Sequence, residues 1–347
     1  MKEFAIKAQE IIKAAIASLF AGNNLSREES RVIMKLMMEG KITDAQISAY
    51  LVALRMKGET VDEIAGSAEA MIEKVDAVNF KYDNFVDTSG TGCDNLHTFN
   101  ISTTAAFVTA GADVAVAKHG NRSVLSKCGS SDILKALGVN IDISNDIVSR
   151  CFHEIGIAFL FMPKYHKSFQ YALGPRREIG ARTLFNVLGP ITNPAQTRHQ
   201  LIGVYDASLM RKLVDVMREL GAHQVMVVHG DDGLDEITIT GKTHVCELID
   251  GQVYEYVISP EDFKMKSSPI SSVQSSSCEE NIRYTMNVLN GEDSPATDIV
   301  MLNAGAAIKV SGKVASLAEG IELARESILS GAAKKKLENL IKITNLS

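Results

Sequence analysis

The chain has 347 residues, which suggests roughly two domains, and its apolar fraction of 46% is enough for full cores. A formal net charge of -6 excludes a broad basic face for nucleic acid. No uncharged apolar run is long enough to cross a bilayer.

Apolar spacing predicts a helix over residues 3–20, in a lysine- and glutamate-bearing segment unlike a signal peptide. Capping boxes follow in quick succession. Ser26 with Glu29, Thr43 with Gln46 and Thr60 with Glu63 predict helices ending near Gly40, Gly58 and Val75. Residues 1–78 are therefore expected to form a small helical domain. Its Met-rich faces, around Met34, Met37 and Met38, read either as core or as surface that a second subunit covers.

From residue 80 the pattern alternates. Strands are expected over 85–88, 114–118, 156–161, 200–205 and 224–229, with helices over 104–111, 131–137, 144–154 and 207–220. That order predicts an α/β domain over 79–347 with a mainly parallel central sheet. The runs Ile237–Thr240 and Val253–Val257, with turns at Gly241-Lys242 and Asp250-Gly251, predict an antiparallel extension. Residues 279–345 read as a helical C-terminal part. The cysteines Cys93, Cys128, Cys151, Cys246 and Cys278 form no C-x-x-C, so neither a disulfide framework nor a zinc site is expected, and a reduced cytoplasmic setting is.

Two loops carry anion-binding chemistry. Asp87-Thr-Ser-Gly-Thr-Gly-Cys-Asp94 leads from a strand into the hydroxyl-rich helix start Thr98–Thr104. Lys118-His-Gly-Asn-Arg-Ser-Val-Leu-Ser-Lys-Cys-Gly-Ser-Ser-Asp132 leads from a strand into a helix that Ser131 or Asp132 is expected to cap. Free N–H groups and the helix dipole favour phosphate at such places. Two of them close together suggest one ligand with two anionic ends.

A third stretch, Gly230-Asp-Asp-Gly-Leu-Asp-Glu236, places four carboxylates in six residues. It reads as a solvated acidic turn or, beside two anion loops, as a Mg²⁺ site completed by substrate phosphates. Phe161 to Pro190 brings aromatics, His166, Arg176 and Arg177 after a strand. A ring-bearing carboxylate suits that mixture; a helix with surface arginines is the plainer reading.

These residues resemble the anthranilate phosphoribosyltransferase family from end to end. The matching runs include Leu25-Ser-Arg-Glu-Glu, Asp87-Thr-Ser-Gly-Thr-Gly, Phe99-Asn-Ile-Ser-Thr, Lys118-His-Gly-Asn-Arg-Ser-Val, Arg182-Thr-Leu-Phe-Asn-Val-Leu-Gly-Pro-Ile-Thr-Asn-Pro194 and Asp232-Gly-Leu-Asp-Glu-Ile. The resemblance implies a fold of the nucleoside phosphorylase/phosphoribosyltransferase type, with a segment near 178–200 returning to the helical domain. It implies transfer of the phosphoribosyl group of phosphoribosyl diphosphate (PRPP) to the amine of anthranilate, in tryptophan biosynthesis. Gly90, Thr91, Gly92, Cys93 and Asp94 would hold the diphosphate with Thr98, Asn100, Ile101, Ser102 and Thr103. Lys118, His119, Gly120, Asn121, Arg122, Ser123, Val124, Leu125, Ser126 and Ser130 would hold the ribose and its phosphate. Gly90, Asn121, His166 and Arg176 match anthranilate contacts.

Ser102, Asp235 and Glu236 match metal ligands, for two Mg²⁺ ions. His119 is either the group that removes the amine proton or a structural hydrogen-bonder. A homodimer through the helical domain, and association with an anthranilate synthase subunit, are further implications. The sequence departs from the family pattern at Cys93, where a glycine is usual, at Lys167, where a proline is, and at Leu125 and Cys128, where small serines are. Pyrimidine nucleoside phosphorylases share the fold type, but their Lys-His-Ser-x-Gly-Gly loop is absent. A non-catalytic nucleic-acid-binding relative would need the basic surface that the net charge excludes.

Overall fold

The structure, a computed structural model, describes residues 2–82, 84–92, 94–121 and 128–346, with side chains from residue 7 onward. Helices α1 (Lys2–Phe20), α2 (Arg27–Met38), α3 (Asp44–Lys57) and α4 (Val61–Lys74) open the chain. All three capping boxes form. The Ser26 N–H donates to Glu29 Oε2 at 2.8 Å and the Glu29 N–H to Ser26 Oγ at 3.3 Å, and the other two repeat this exchange. Each exchange satisfies donors that a helix start otherwise leaves open.

Glu63 goes further. It is fully buried, accepts the Leu25 N–H at 2.9 Å and pairs with Lys57 at 2.9 Å, so one carboxylate ties the entries of α2 and α4 to the end of α3. Within α4, a Cβ on Gly66 would stand 2.0 Å from the Arg27 carbonyl oxygen, so α2 and α4 meet at backbone contact there.

The chain then alternates through β1 (Phe85–Gly90), α5 (Ile101–Gly111), β2 (Ala115–Gly120), α6 (Ser130–Ala136), α7 (Asn145–Ile155) and β3 (Ile157–Phe161). Helices α8 (Met162–Tyr165), α9 (Gln170–Ile179) and α10 (Leu184–Ile191) follow, then β4 (His199–Gly203), α11 (Met210–Glu219) and β5 (Gln224–Gly230). A hairpin of β6 (Thr243–Ile249) and β7 (Gln252–Ile258) precedes α12 (Cys278–Leu289), α13 (Pro295–Val310), α14 (Leu317–Leu329) and α15 (Ala332–Thr344).

The sheet order is β3-β2-β1-β4-β5-β6-β7. Strands β1 to β5 are parallel, and β6 and β7 run antiparallel. Side chains alternate between two cores, as the strand period of two requires. Leu201, Met226 and Val228 pack with α5, α7 and α12–α15. Ile202, Val225 and Val227 pack with α2–α4, α10 and α11. The helical unit is thus the cover of one sheet face.

Several expectations need correction. Ile237–Thr240 is not a strand. Its alternation of Ile and Thr is a strand pattern, but its polar atoms are satisfied by side chains instead of a ladder: the Ile237 N–H donates to Asn303 Oδ1, and the Thr238 and Thr240 hydroxyls donate to Asp232. The partner of β7 is β6, which begins beyond the Gly241 turn. Neither Ser131 nor Asp132 is the cap of α6. That position is Gly129, whose N–H donates to Asp132 Oδ2 at 3.0 Å from the first turn. Finally, Cys128 and Cys278 form a disulfide across 150 residues of sequence. Spacing along a chain carries no sign of such a pairing, because the fold alone makes the two residues neighbours.

Candidate active site

Strands β1 and β4 are neighbours, yet the chain passes through β2 and β3 between them. The sheet therefore reverses its order at this pair, and open α/β sheets bind ligands beyond the carboxyl ends of strands at such a point. A cleft of about 300 Å³ lies there. Both strands end in glycine, Gly90 in register with Gly203. A Cβ on Gly203 would stand 1.6 Å from the Asp235 carbonyl oxygen, and one on Gly90 3.0 Å from Asp235 Oδ2. The missing side chains let the 231–236 loop lie directly on the strand ends. Gly92, at φ +63°, turns the backbone so that its N–H donates to Asp235 Oδ2 at 2.6 Å.

Two helices start at the cleft. The first turn of α5 brings Asn100, Ile101, Ser102 and Thr103, and that of α6 brings Gly129 and Ser130. Their N-terminal dipole ends place positive potential on the same space. Lys118, at the end of β2 and 4% exposed, directs its ammonium to the Thr88 carbonyl and, at 3.3 Å, to Ser102 Oγ. Gly120 allows α6 to close in, since a Cβ there would stand 2.5 Å from Ser130 Oγ.

Only part of the acidic stretch faces the cleft. Asp231 pairs with His244 at the surface, and Asp232 is used by the Thr238 and Thr240 hydroxyls. Asp235 and Glu236 line the cleft, where Glu236 Oε1 accepts the Ser102 N–H at 3.2 Å. Burial, then the charges of Asp94 and Glu236, push the Asp235 pKa well above the usual carboxylate range. Burial pushes Glu236 up to about 7 against the opposing pull of Lys118. Adjacent carboxylates that repel each other in this way fit a cation. Among the described residues no trio of His, Cys, Asp and Glu is arranged to hold a metal by itself. That donor set suits Mg²⁺, which takes one or two carboxylates and completes its shell with phosphates and water.

Of the other sequence candidates, Thr91, Asp94, Thr98, Asn121 and Arg176 also line the cleft. Cys93, Arg122, Ser123, Val124, Leu125 and Ser126 lie outside the described residues. His119 lines it too, and its tautomer follows from one contact. Nδ1 lies 3.1 Å from the Gly189 carbonyl, which only accepts, so Nδ1 carries the hydrogen and Nε2 the lone pair. Burial, with His166 alongside, holds the His119 pKa well below its ordinary value, so the ring is neutral.

His166 does not line the cleft. Its ring centroid is 5.3 Å from that of His119, one layer behind, in a smaller cavity with Met37, Met38, Met71 and Phe185. Nε2 lies 3.0 Å from the Thr192 carbonyl, and burial lowers its pKa to about 4. A histidine depressed in the fold favours the unfolded chain once that chain protonates. Stability is therefore complete above the unfolded value near 6.5 and is lost as pH falls from there to about 4, by about 3 kcal/mol for His166 alone. Thermal midpoints measured between pH 8 and 4 are expected to fall over that window, and less steeply in His166→Gln. A flat profile in the native chain would contradict this reading.

Sequence reading missed two sets of residues. Phe185, Asn186, Gly189 and Pro190 of α10 also line the cleft. Arg176 lies over the rings of Phe169 and Phe185 at 4.9 and 5.4 Å, between the helical unit and the sheet. Below the cleft, Asp87 is fully buried and accepts from the His119 N–H, Ser89 Oγ and Asn193 Nδ2 at 2.8–3.0 Å. A carboxylate inside a buried strand was the available signal. Lys167 pairs with Asp76 at the surface at 2.7 Å and does not line the cleft.

Comparison with known proteins agrees with this arrangement. Residues 13–75 match a family model described as "Glycosyl transferase family, helical bundle domain", and residues 82–334 one described as "Glycosyl transferase family, a/b domain". The anthranilate phosphoribosyltransferase of Petrotoga mobilis is 49% identical over 324 residues, covering 93% of this chain and 94% of its own. That of Anaeromyxobacter dehalogenans is 49% identical over 336 residues, covering 97% and 99%. The crystal structure of the Thermus thermophilus anthranilate phosphoribosyltransferase superposes with a TM-score of 0.90 at 36% identity, covering 95% of this chain and 99% of that one. The Saccharomyces cerevisiae enzyme, solved in complex with PRPP and Mg, has a TM-score of 0.87 at 26% identity, covering 96% and 97%. Sequence and architecture agree along almost the whole length, and the chain belongs to the anthranilate phosphoribosyltransferase family.

Proposed function

We propose that the chain transfers the 5-phosphoribosyl group of PRPP to the amine of anthranilate, giving N-(5-phosphoribosyl)anthranilate and diphosphate in tryptophan biosynthesis. The observation that carries this reading is the junction of two helix N-termini, the Gly90–Gly92 turn and the Asp235–Glu236 pair at one switch point. The Gly92 and Ser102 N–H groups, now bonded to those carboxylates, are donors that a diphosphate would take. Asp235, Glu236 and Ser102 would hold Mg²⁺, two ions in our reading, which supplies positive charge against the departing diphosphate. Lys118 and the dipole ends of α5 and α6 add fixed positive potential beside the sugar phosphate, an electrostatic contribution in place before reaction.

As the bond from C1 to diphosphate breaks, the anthranilate amine attacks C1 from the opposite face. An aromatic amine is a weak nucleophile, so holding it in line contributes more than a strong base. His119 either takes the amine proton or serves as a structural hydrogen-bonder; its Nε2 is buried without a partner among the described residues, which favours the structural role in the cleft as it stands. We assign the anthranilate ring to the part of the cleft that Phe185 and Arg176 line, with the guanidinium on its carboxylate. His166 supports that wall from behind. Arg176→Ala is expected to raise the KM for anthranilate about 10- to 100-fold, the loss of one charged hydrogen-bonded pair, with little change for PRPP. Equal effects on both substrates would remove the assignment.

We divide the chain into 1–78 and 79–347, with residues near 178–200 returning to the helical domain. The packing of α9 and α10 on α2–α4 supports this. A homodimer through that domain rests on the family pattern; Phe20, Val52, Met56 and Leu173, on α1, α3 and α9, are exposed. Association with an anthranilate synthase subunit rests on the family alone. No described helix is long and apolar enough to cross a membrane, and we take the setting as cytoplasmic.

The test is anthranilate fluorescence with purified protein, PRPP and Mg²⁺, repeated with EDTA. Loss of fluorescence only with sugar diphosphate and metal together is expected. No loss in folded protein would end this reading and direct the assay to pyrimidine nucleosides and phosphate.

A further inference from the structure

The disulfide is placed where the cleft is assembled. Cys128 lines the cleft, next to Gly129 and Ser130 at the start of α6. Cys278 is the first residue of α12. Helix α12 also holds the other cleft helix. Asn281 Oδ1 accepts the Asn100 N–H at 2.8 Å, Tyr284 stacks on Phe99 at 5.0 Å, and the Thr285 and Thr104 hydroxyls bond at 3.0 Å. Asn100 Nδ2 in turn donates to the Cys128 carbonyl at 3.2 Å. One helix thus backs the starts of both α5 and α6. It holds α5 by hydrogen bonds and ring contact, and α6 through the S–S bond.

We propose that Cys128–Cys278 is a positioning element of the PRPP site, and that its reduction weakens PRPP binding. The inference rests on the reading of this cleft as the PRPP site. While the bond is closed, the ordering of Cys128 to Ser130 is paid before ligand arrives; once it opens, binding must supply that order. A dithiol reductant attacks Cys128 Sγ from the cleft. The S–S bond breaks, Cys278 leaves as thiolate, and the second thiol of the reductant closes its own disulfide. Two electrons and two protons pass to the cysteines. Cys278 leaves at the amino end of a 12-residue helix, whose dipole favours a thiolate while Glu279 and Glu280 of the same turn oppose it. In a reducing compartment a bond of this kind is a transient or sensing one, not a permanent staple.

The test uses the full chain, oxidised or treated with dithiothreitol, with thiols counted by alkylation and mass. PRPP affinity in Mg²⁺ is measured by calorimetry in both states, alongside turnover. Reduction is expected to weaken PRPP binding about tenfold, the preorganisation of a few residues, and to leave the KM for anthranilate unchanged. Cys278→Ser is expected to match the reduced chain in either state. By reciprocity PRPP should shift the thiol–disulfide equilibrium toward the closed bond by the same factor. Equal PRPP affinity in the two states, or absence of the disulfide from oxidant-treated protein, overturns the proposal. Absence of PRPP binding and turnover in both states instead overturns the reading of the site.

Discussion

Asp235→Asn is expected to lower kcat/KM by roughly 10²- to 10³-fold while raising the thermal midpoint measured in EDTA, the scale of weakening the cation's electrostatic hold on the leaving anion. The substitution keeps the shape of the side chain and removes its charge. That charge is unfavourable to the fold by itself: Asp235 is pushed toward its neutral form by burial and by Asp94 and Glu236, so an amide relieves repulsion. The same charge is what would hold the cation that neutralises a departing diphosphate. Stability and activity should therefore move in opposite directions, as they do where a site is built against the fold's own preference. The two measurements are a thermal melt in EDTA and initial rates by anthranilate fluorescence. A variant with native kcat/KM would show that Asp235 holds no catalytic charge. A variant that is both inactive and less stable would show that its bond to the Gly92 N–H matters more to the fold than the repulsion does.

What could be read before folding was whatever a few neighbouring residues decide together. The Ser26–Glu29 box contains both partners of its exchange within one turn, so its geometry follows from four residues. Gly90 and Gly92 announce a backbone that something must approach, and Asp235-Glu236 announce repulsion that something must relieve. The rest depended on distance. Register decides that Gly203 stands beside Gly90. Topology decides that Cys278 meets Cys128 and that Asn193 meets Asp87. His166 and Arg176 shared one stretch and looked equivalent, yet the turns of α8 and α9 put Arg176 on the cleft and His166 behind it. In 231–236 the turns of the loop give Asp232 to the threonines and Asp235 with Glu236 to the cleft, which a count of carboxylates does not reveal.

Gly203→Ala is expected to cut kcat/KM by about 100-fold or more and to lower stability by about 1–3 kcal/mol, although Gly203 carries no functional group. Its Cβ would stand 1.6 Å from the Asp235 carbonyl oxygen, 2.4 Å from the carbonyl carbon and 3.3 Å from the Glu236 nitrogen. All three are backbone atoms, so no rotamer change relieves the clash. The neighbour that must yield is the peptide carrying both carboxylates, and shifts of about 1 Å at reacting groups already bring losses of this size. Gly241→Ala is the control, since a Cβ there meets nothing within 4 Å, and it should change stability by less than about 0.5 kcal/mol. Melting curves and PRPP-dependent rates for the pair separate the alternatives. If Gly203→Ala melts lower but keeps its rate, the 231–236 loop relaxes without displacing the carboxylates. If it keeps both, the close approach of β4 to that loop is wrong, and the account of why both strands end in glycine fails with it.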